Sequence, residues 1–144
     1  MDKATSATEY FKKGFNCAQA VFATYCEEYG IDIETGMKIT SPFAYGISRT
    51  DNVCGAVTGA IMVIGLKYGN SLPDDNEAKE KTYELTKEFI GRFKEMYGSV
   101  KCSDLIMFNI STEKGYQFAK EHKVIETICP GYVEDAVKLL EDII

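Results

Sequence analysis

Apolar residues return at steps of three and four through the first thirty positions: Phe11, Phe15, Ala18, Phe22, Tyr25 and Tyr29. That period marks one face of a helix. Gly14 and Asn16 interrupt it, so the pattern predicts a helix near 4–13 and a second near 17–29. Asn16 caps the second, which closes at Gly30. Residues 34–44 read as one short helix, and 45–50 as a tight turn. The stretch 51–69 is apolar on nearly every side, which predicts a buried helix through the middle of the fold. Inside it Gly55 and Gly59 lie four apart, as do Ala56 and Ala60. Such a strip suits a close helix crossing within the chain or the face of a homodimer equally well. After a loop at 69–73 comes the longest expected helix, near 75–97, with the stripe Ala78, Thr82, Leu85, Phe89, Phe93 and Met96. Gly98 closes it.

Three shorter elements complete the pattern. One spans 102–108. Another is capped by Ser111 or Thr112 and runs to about 121. The last opens at Pro130, a residue suited to a first helical position, and carries Val133, Ala136, Val137, Leu140 and Ile144. No segment alternates as a strand does, and no repeat or linker divides the chain. The expected fold is therefore all-α: a single-domain bundle of about five to seven helices around a buried central helix at about 51–69.

Composition narrows the options. With 144 residues, 45% of them hydrophobic, the chain can build a core that needs no disulfides. A net charge of −6 and the lack of any Lys/Arg block argue against a nucleic-acid partner. No apolar run approaches the roughly 20 residues of a membrane span. The polar N-terminus carries no secretory signal, so a cytoplasmic location is expected, where thiols stay reduced.

The candidate chemistry lies in sulfur. Cys17, Cys54, Cys102 and Cys129 each fall where a helix is expected to begin. Free N–H groups at a helix start carry roughly half a positive charge, which favours a thiolate over a thiol. Cys26 sits inside a helix and is expected only to pack. Gly55 leaves the backbone open beside Cys54, and Arg49 precedes that helix start; both are candidates for holding a cofactor. His122 lies in a polar run and reads as a surface residue. The acidic run at 74–77 lacks calcium-loop spacing and fits a helix N-terminus.

No Cys-x-x-Cys pair occurs, and no Cys-x-x-Cys-His, so no haem attachment is expected. Any sulfur site must be assembled from distant segments. Two chemistries fit. One is thiol–disulfide exchange with an unidentified redox partner, with Cys102 and Cys129 as the preferred pair and Cys17 and Cys54 as a second pair or the attacking thiol. The other is a thiophilic metal or iron–sulfur cluster held by the same four cysteines. A helical interaction module whose cysteines only pack is the third possibility.

Four segments together resemble a known family. They are Gly14-Phe15-Asn16-Cys17-Ala18-Gln19, Cys54-Gly55-Ala56-Val57-Thr58-Gly59, Cys102-Ser103-Asp104-Leu105-Ile106 and Cys129-Pro130-Gly131-Tyr132. In order and flanking residues they are similar to the C_GCAxxG_C_C proteins over about residues 8–144. Here Val53, not glycine, precedes Cys54, and Gly55 stands between Cys54 and Ala56. The resemblance implies redox activity or metal binding through Cys17, Cys54, Cys102 and Cys129. It implies little else about mechanism.

Overall fold

The computed structural model describes residues 1–144, all of them helix, turn or loop. Eight right-handed helices follow one another: α1 (Lys3–Lys12), α2 (Cys17–Cys26), α3 (Ile33–Thr40), α4 (Gly55–Tyr68), α5 (Asn76–Tyr97), α6 (Cys102–Ile106), α7 (Glu113–Glu121) and α8 (Val124–Ile143). The all-α expectation holds. No helix is long and apolar enough to cross a membrane.

Local sequence explains most boundaries. Asp2 accepts from the Thr5 N–H at 2.7 Å and starts α1. Asn16 and Gln19 exchange side-chain and backbone hydrogen bonds, both at 2.9 Å, in a capping box that starts α2. Asp75 accepts from Ala78 N–H at the head of α5, which explains the acidic run there. Gly98 ends α5 in the left-handed conformation, at φ 81°.

The centre of the molecule is the crossing of α2 and α4, with α1 and α8 packed on α2 and α5 on α4. The small-residue strip makes the crossing possible. A Cβ on Gly59 would lie 2.9 Å from the Ala18 carbonyl oxygen, so the α2 backbone occupies that space. The strip thus serves packing within the chain. Val21, Val57, Ala60, Val63 and Ile64 fill the crossing, and Phe89, Phe93, Val133, Val137 and Leu140 close it from α5 and α8.

Two boundaries differ from expectation. The central helix begins at Gly55, not at 51, because residues 51–54 are taken by another interaction. Val53 forms an isolated antiparallel bridge with Lys101. Its hydrogen bonds run from Cys54 N–H to Val100 O (2.7 Å) and from Cys102 N–H to Asn52 O (3.0 Å). The last helix begins at Val124, so Pro130 lies inside it and Cys129 is not at a helix start. A proline removes one i→i−4 bond and bends a helix, but the flanking residues can hold it. Here Val124, Cys129 and Val133 are buried on both sides of the proline and keep the segment helical.

Residues 45–49 form the turn expected there, with a handedness the sequence does not disclose. Tyr45, Gly46, Ile47, Ser48 and Arg49 all have φ between 51° and 66°. They make one turn of left-handed helix, which costs each non-glycine residue about 1–2 kcal/mol. The turn is held by Thr50 Oγ1 donating to the Gly46 and Ile47 carbonyls at 3.0 and 2.6 Å, and by Asn52 N–H donating to Gly46 O at 2.8 Å. A Cβ on Gly46 would meet Asn52 N at 2.7 Å and Cys102 Cβ at 2.9 Å. Glycine is required there because the chain passes directly over Cys102.

Candidate functional site

Four separate elements bring Cys17, Cys54, Cys102 and Cys129 to the wall of one cavity of about 290 Å³. Cys17 opens α2, fixed by the Asn16 cap. Cys54 is the residue before α4, and Cys102 is the first residue of α6. Cys129 projects from the middle of α8, one residue before the proline.

The Val53–Lys101 bridge is what joins Cys54 to Cys102. Cys54 lies opposite Val100, and Cys102 opposite Asn52. Alternate residues of a β pair share a face, so Cys54 and Cys102 stand diagonally on the same side of the bridge. Asp51 secures this junction. Its carboxylate accepts from the Ser103 N–H at 2.7 Å and the Ser103 hydroxyl at 2.6 Å, with Lys101 Nζ at 3.4 Å. Burial works to raise its pKa, but the Ser103 hydrogen bonds and the Lys101 charge prevail and hold the carboxyl below its ordinary range.

Residue 17 is partly exposed and Cys129, Cys54 and Cys102 are 5%, 6% and 7% exposed, but the Cys17 thiol itself lies buried like the others. All are free thiols. The Cys17 thiol is pushed well up, first by its side-chain interaction with Cys129, then by burial and by the nearness of Cys54 and Cys102. Burial also raises Cys102, with Cys54, Cys129 and Asp51 adding to it. Cys54 shows the contest most clearly. Burial drives its pKa up to about 12 although the N–H groups of Ala56 and Val57, at the start of α4, pull it down. The helix-start effect expected from the sequence is present at Cys54, but desolvation outweighs it. Cys17, Cys54 and Cys102 are thus held as thiols at neutral pH. Cys129 is the strongest thiol influence on both Cys17 and Cys54, and Cys54 the strongest on Cys102. The sequence had favoured Cys102 with Cys129.

The other expected residues fall as follows. Gly55 lines the cavity, but its missing side chain is taken up by α2: a Cβ would lie 3.0 Å from Ala18 N and 3.2 Å from Cys17 Cβ. Arg49 is turned away from the thiols. Its guanidinium lies 3.9 Å from the centre of the Tyr116 ring and donates to the Tyr116 hydroxyl at 3.1 Å. Cys26 is buried in the main core and donates to Phe22 O at 3.4 Å. His122 is exposed and stacked on Phe118.

Three cavity residues were not singled out as site residues from the sequence. Tyr45 reaches it from the left-handed turn. Tyr132 stands one helical step from Cys129 and donates to Leu105 O at 2.5 Å, which ties α8 to α6. Glu126 is exposed and is the one charged residue in the lining. The apolar spacing of Val124, Ile125, Ile128, Cys129, Tyr132 and Val133 across the proline was the available clue to Tyr132 and Glu126.

Four thiols are by chemistry a soft donor set suited to a thiophilic metal or an iron–sulfur cluster. By position, no three His, Cys, Asp or Glu side chains are arranged to hold an ion. The four thiols on one wall are the donors such a group would use; as placed, they do not form a single-ion site.

Fold and site together define an all-helical protein with a thiol-lined cavity between its helix ends. Residues 15–143 match the model of the C_GCAxxG_C_C family, described as "putative redox-active protein", and the chain belongs to that family. No curated protein and no solved structure matches it.

Proposed function

We infer that the protein carries out thiol–disulfide exchange, with Cys17 as the attacking thiol and Cys129 as its resolving partner. What supports this most is the gathering of the four thiols on one cavity wall, with Cys129 acting more strongly on Cys17 than Cys54 or Cys102 does. Cys17 gives up its proton and attacks a substrate disulfide, forming a mixed disulfide and releasing one thiol. Cys129 then attacks the Cys17 sulfur and releases the second thiol, leaving a Cys17–Cys129 disulfide. The raised Cys17 pKa makes the first step slow at neutral pH and faster as pH rises. Cys54 and Cys102, joined through the Val53–Lys101 bridge, are the second dithiol of this reading.

The test is single-turnover oxidation of anaerobically reduced protein by an excess of small disulfide, followed by mapping of the disulfides formed. One Cys17–Cys129 disulfide per chain is expected, together with loss of the reaction in Cys17→Ser. A Cys129→Ser variant should stop at the mixed disulfide on Cys17. A stoichiometric metal retained after anaerobic purification, with the four thiols protected from alkylation, would overturn this reading in favour of a metal centre.

A further inference from the structure

The lining of the cavity bears on what enters it, and this step rests on the exchange reaction proposed above. Twelve of its seventeen residues are hydrophobic, among them Phe11, Phe15, Tyr45 and Tyr132. A concave space of about 290 Å³ suits a small molecule, not the surface of a folded protein. Its polar residues are mostly committed elsewhere. Asn16 donates to Ser41 O and accepts from Gln19 N–H; Gln19 donates to Met37 O and accepts from Asn16 N–H.

Glu126 is different. It is exposed and forms no side-chain hydrogen bond or ion pair. Its backbone also lacks the usual partner, because the residue four positions on is Pro130, which has no N–H. The Glu126 carboxylate is a free acceptor at the cavity wall. Tyr45, in the same lining, has its pKa raised chiefly by burial and by Tyr116, while Arg49 lowers it and Glu126, more weakly, raises it. No cationic residue lines the cavity; Arg49, behind Tyr45, is bound to Tyr116.

We propose that the substrate is a small disulfide whose arms end in ammonium or other N–H donor groups, selected by Glu126 over disulfides with carboxylate arms. The disulfide sits over Cys17 among the aromatic rings, and one charged arm meets the Glu126 carboxylate. Cys17-SH and Cys129-SH together reduce one R–S–S–R. Two R–SH leave with the two protons, and the two electrons lost by the protein thiols appear as the Cys17–Cys129 bond.

The experiment uses full-length reduced protein under anaerobic conditions. Its rate of oxidation is compared for cystamine, hydroxyethyl disulfide and dithiodiglycolate, which are cationic, neutral and anionic and similar in size. Each rate is divided by that of free mercaptoethanol with the same disulfide, which removes intrinsic reactivity. The expected order is cationic, neutral, anionic, with about tenfold between first and last. In Glu126→Gln that spread should shrink severalfold, and in Glu126→Lys it should reverse. Glu80→Gln, on the outer face of α5, removes the same net charge at a distance and should leave the spread unchanged. Equal normalised rates for the three disulfides, or equal responses to Glu126→Gln and Glu80→Gln, would overturn the selection while leaving Cys17-dependent exchange intact. Failure of all three to produce a Cys17–Cys129 disulfide would overturn the exchange reaction and this proposal together.

Discussion

A thiol hidden from water is a weak acid, and the folded state pays no electrostatic cost for it until the unfolded chain can ionise. Cys54 makes the sign definite. Its ordinary pKa is 9.0, and burial lifts it to about 12 in the fold. Below pH 9 both states hold the proton, so stability does not depend on it. Between about 9 and 12 the unfolded chain releases the proton and the native state keeps it, so stability falls as pH rises. The loss is about 1.4 kcal/mol per pH unit for each such thiol. Cys17 and Cys102, also raised, deepen the fall over a window that opens at the same ordinary value. Urea midpoints measured from pH 8 to 11 in the presence of reductant should drop steadily, and Cys54→Ala should flatten the slope. An unchanged slope in that variant would mean that the thiol ionises in the native protein as freely as in water.

At the scale of elements, two residues set how the helices carry the thiols. Gly59 lets α2 and α4 touch, with the Ala18 carbonyl 2.9 Å from where a Cβ would stand. Gly59→Ala should cost about 1–3 kcal/mol through forced separation of the two helices, read as a lower urea midpoint. Pro130 works the other way. It weakens α8 by withholding one backbone bond, and a proline inside a helix is about 3 kcal/mol less favourable than alanine. Pro130→Ala should therefore raise the melting temperature. It should also straighten the helix just after Cys129 and slow formation of the Cys17–Cys129 disulfide, a gain in stability set against function. Faster disulfide formation in the stabilised variant would show that the bend does not position the sulfur. The same residue marks the limit of what the sequence discloses. Periodicity and capping are local, and they place α2, α5, α6 and α7 to within a few residues. Pro130 reads locally as a helix start, yet burial of Val124 and Cys129 on one side and Val133 on the other carries the helix through it. The Val53–Lys101 bridge and the left-handed turn at 45–49 depend on contacts between segments about fifty residues apart, which no local pattern records. The four thiols were legible as a set; which of them face each other was not.

For the molecule as a whole, Cys17 and Cys129 span nearly the entire chain. Cys17 begins the second helix and Cys129 lies in the last, so a bond between them closes a loop of roughly 110 residues; cross-linking a loop of that size removes about 4–5 kcal/mol of unfolded-state freedom. Oxidation should therefore raise the urea midpoint strongly. The rise should vanish in Cys17→Ser and persist in Cys102→Ser, because the bond joins Cys17 to Cys129 and does not involve Cys102. Linkage runs in both directions: if the bond stabilises the fold, the fold stabilises the bond by the same amount. The native disulfide should consequently be harder to reduce than the same bond in urea-unfolded protein, with a more negative potential measured against a dithiol buffer. That describes a protein that gives up electrons readily and takes them back only from a strong reductant. A native potential equal to that of the unfolded chain would show that the two sulfurs are held too far apart for the fold to favour their bond.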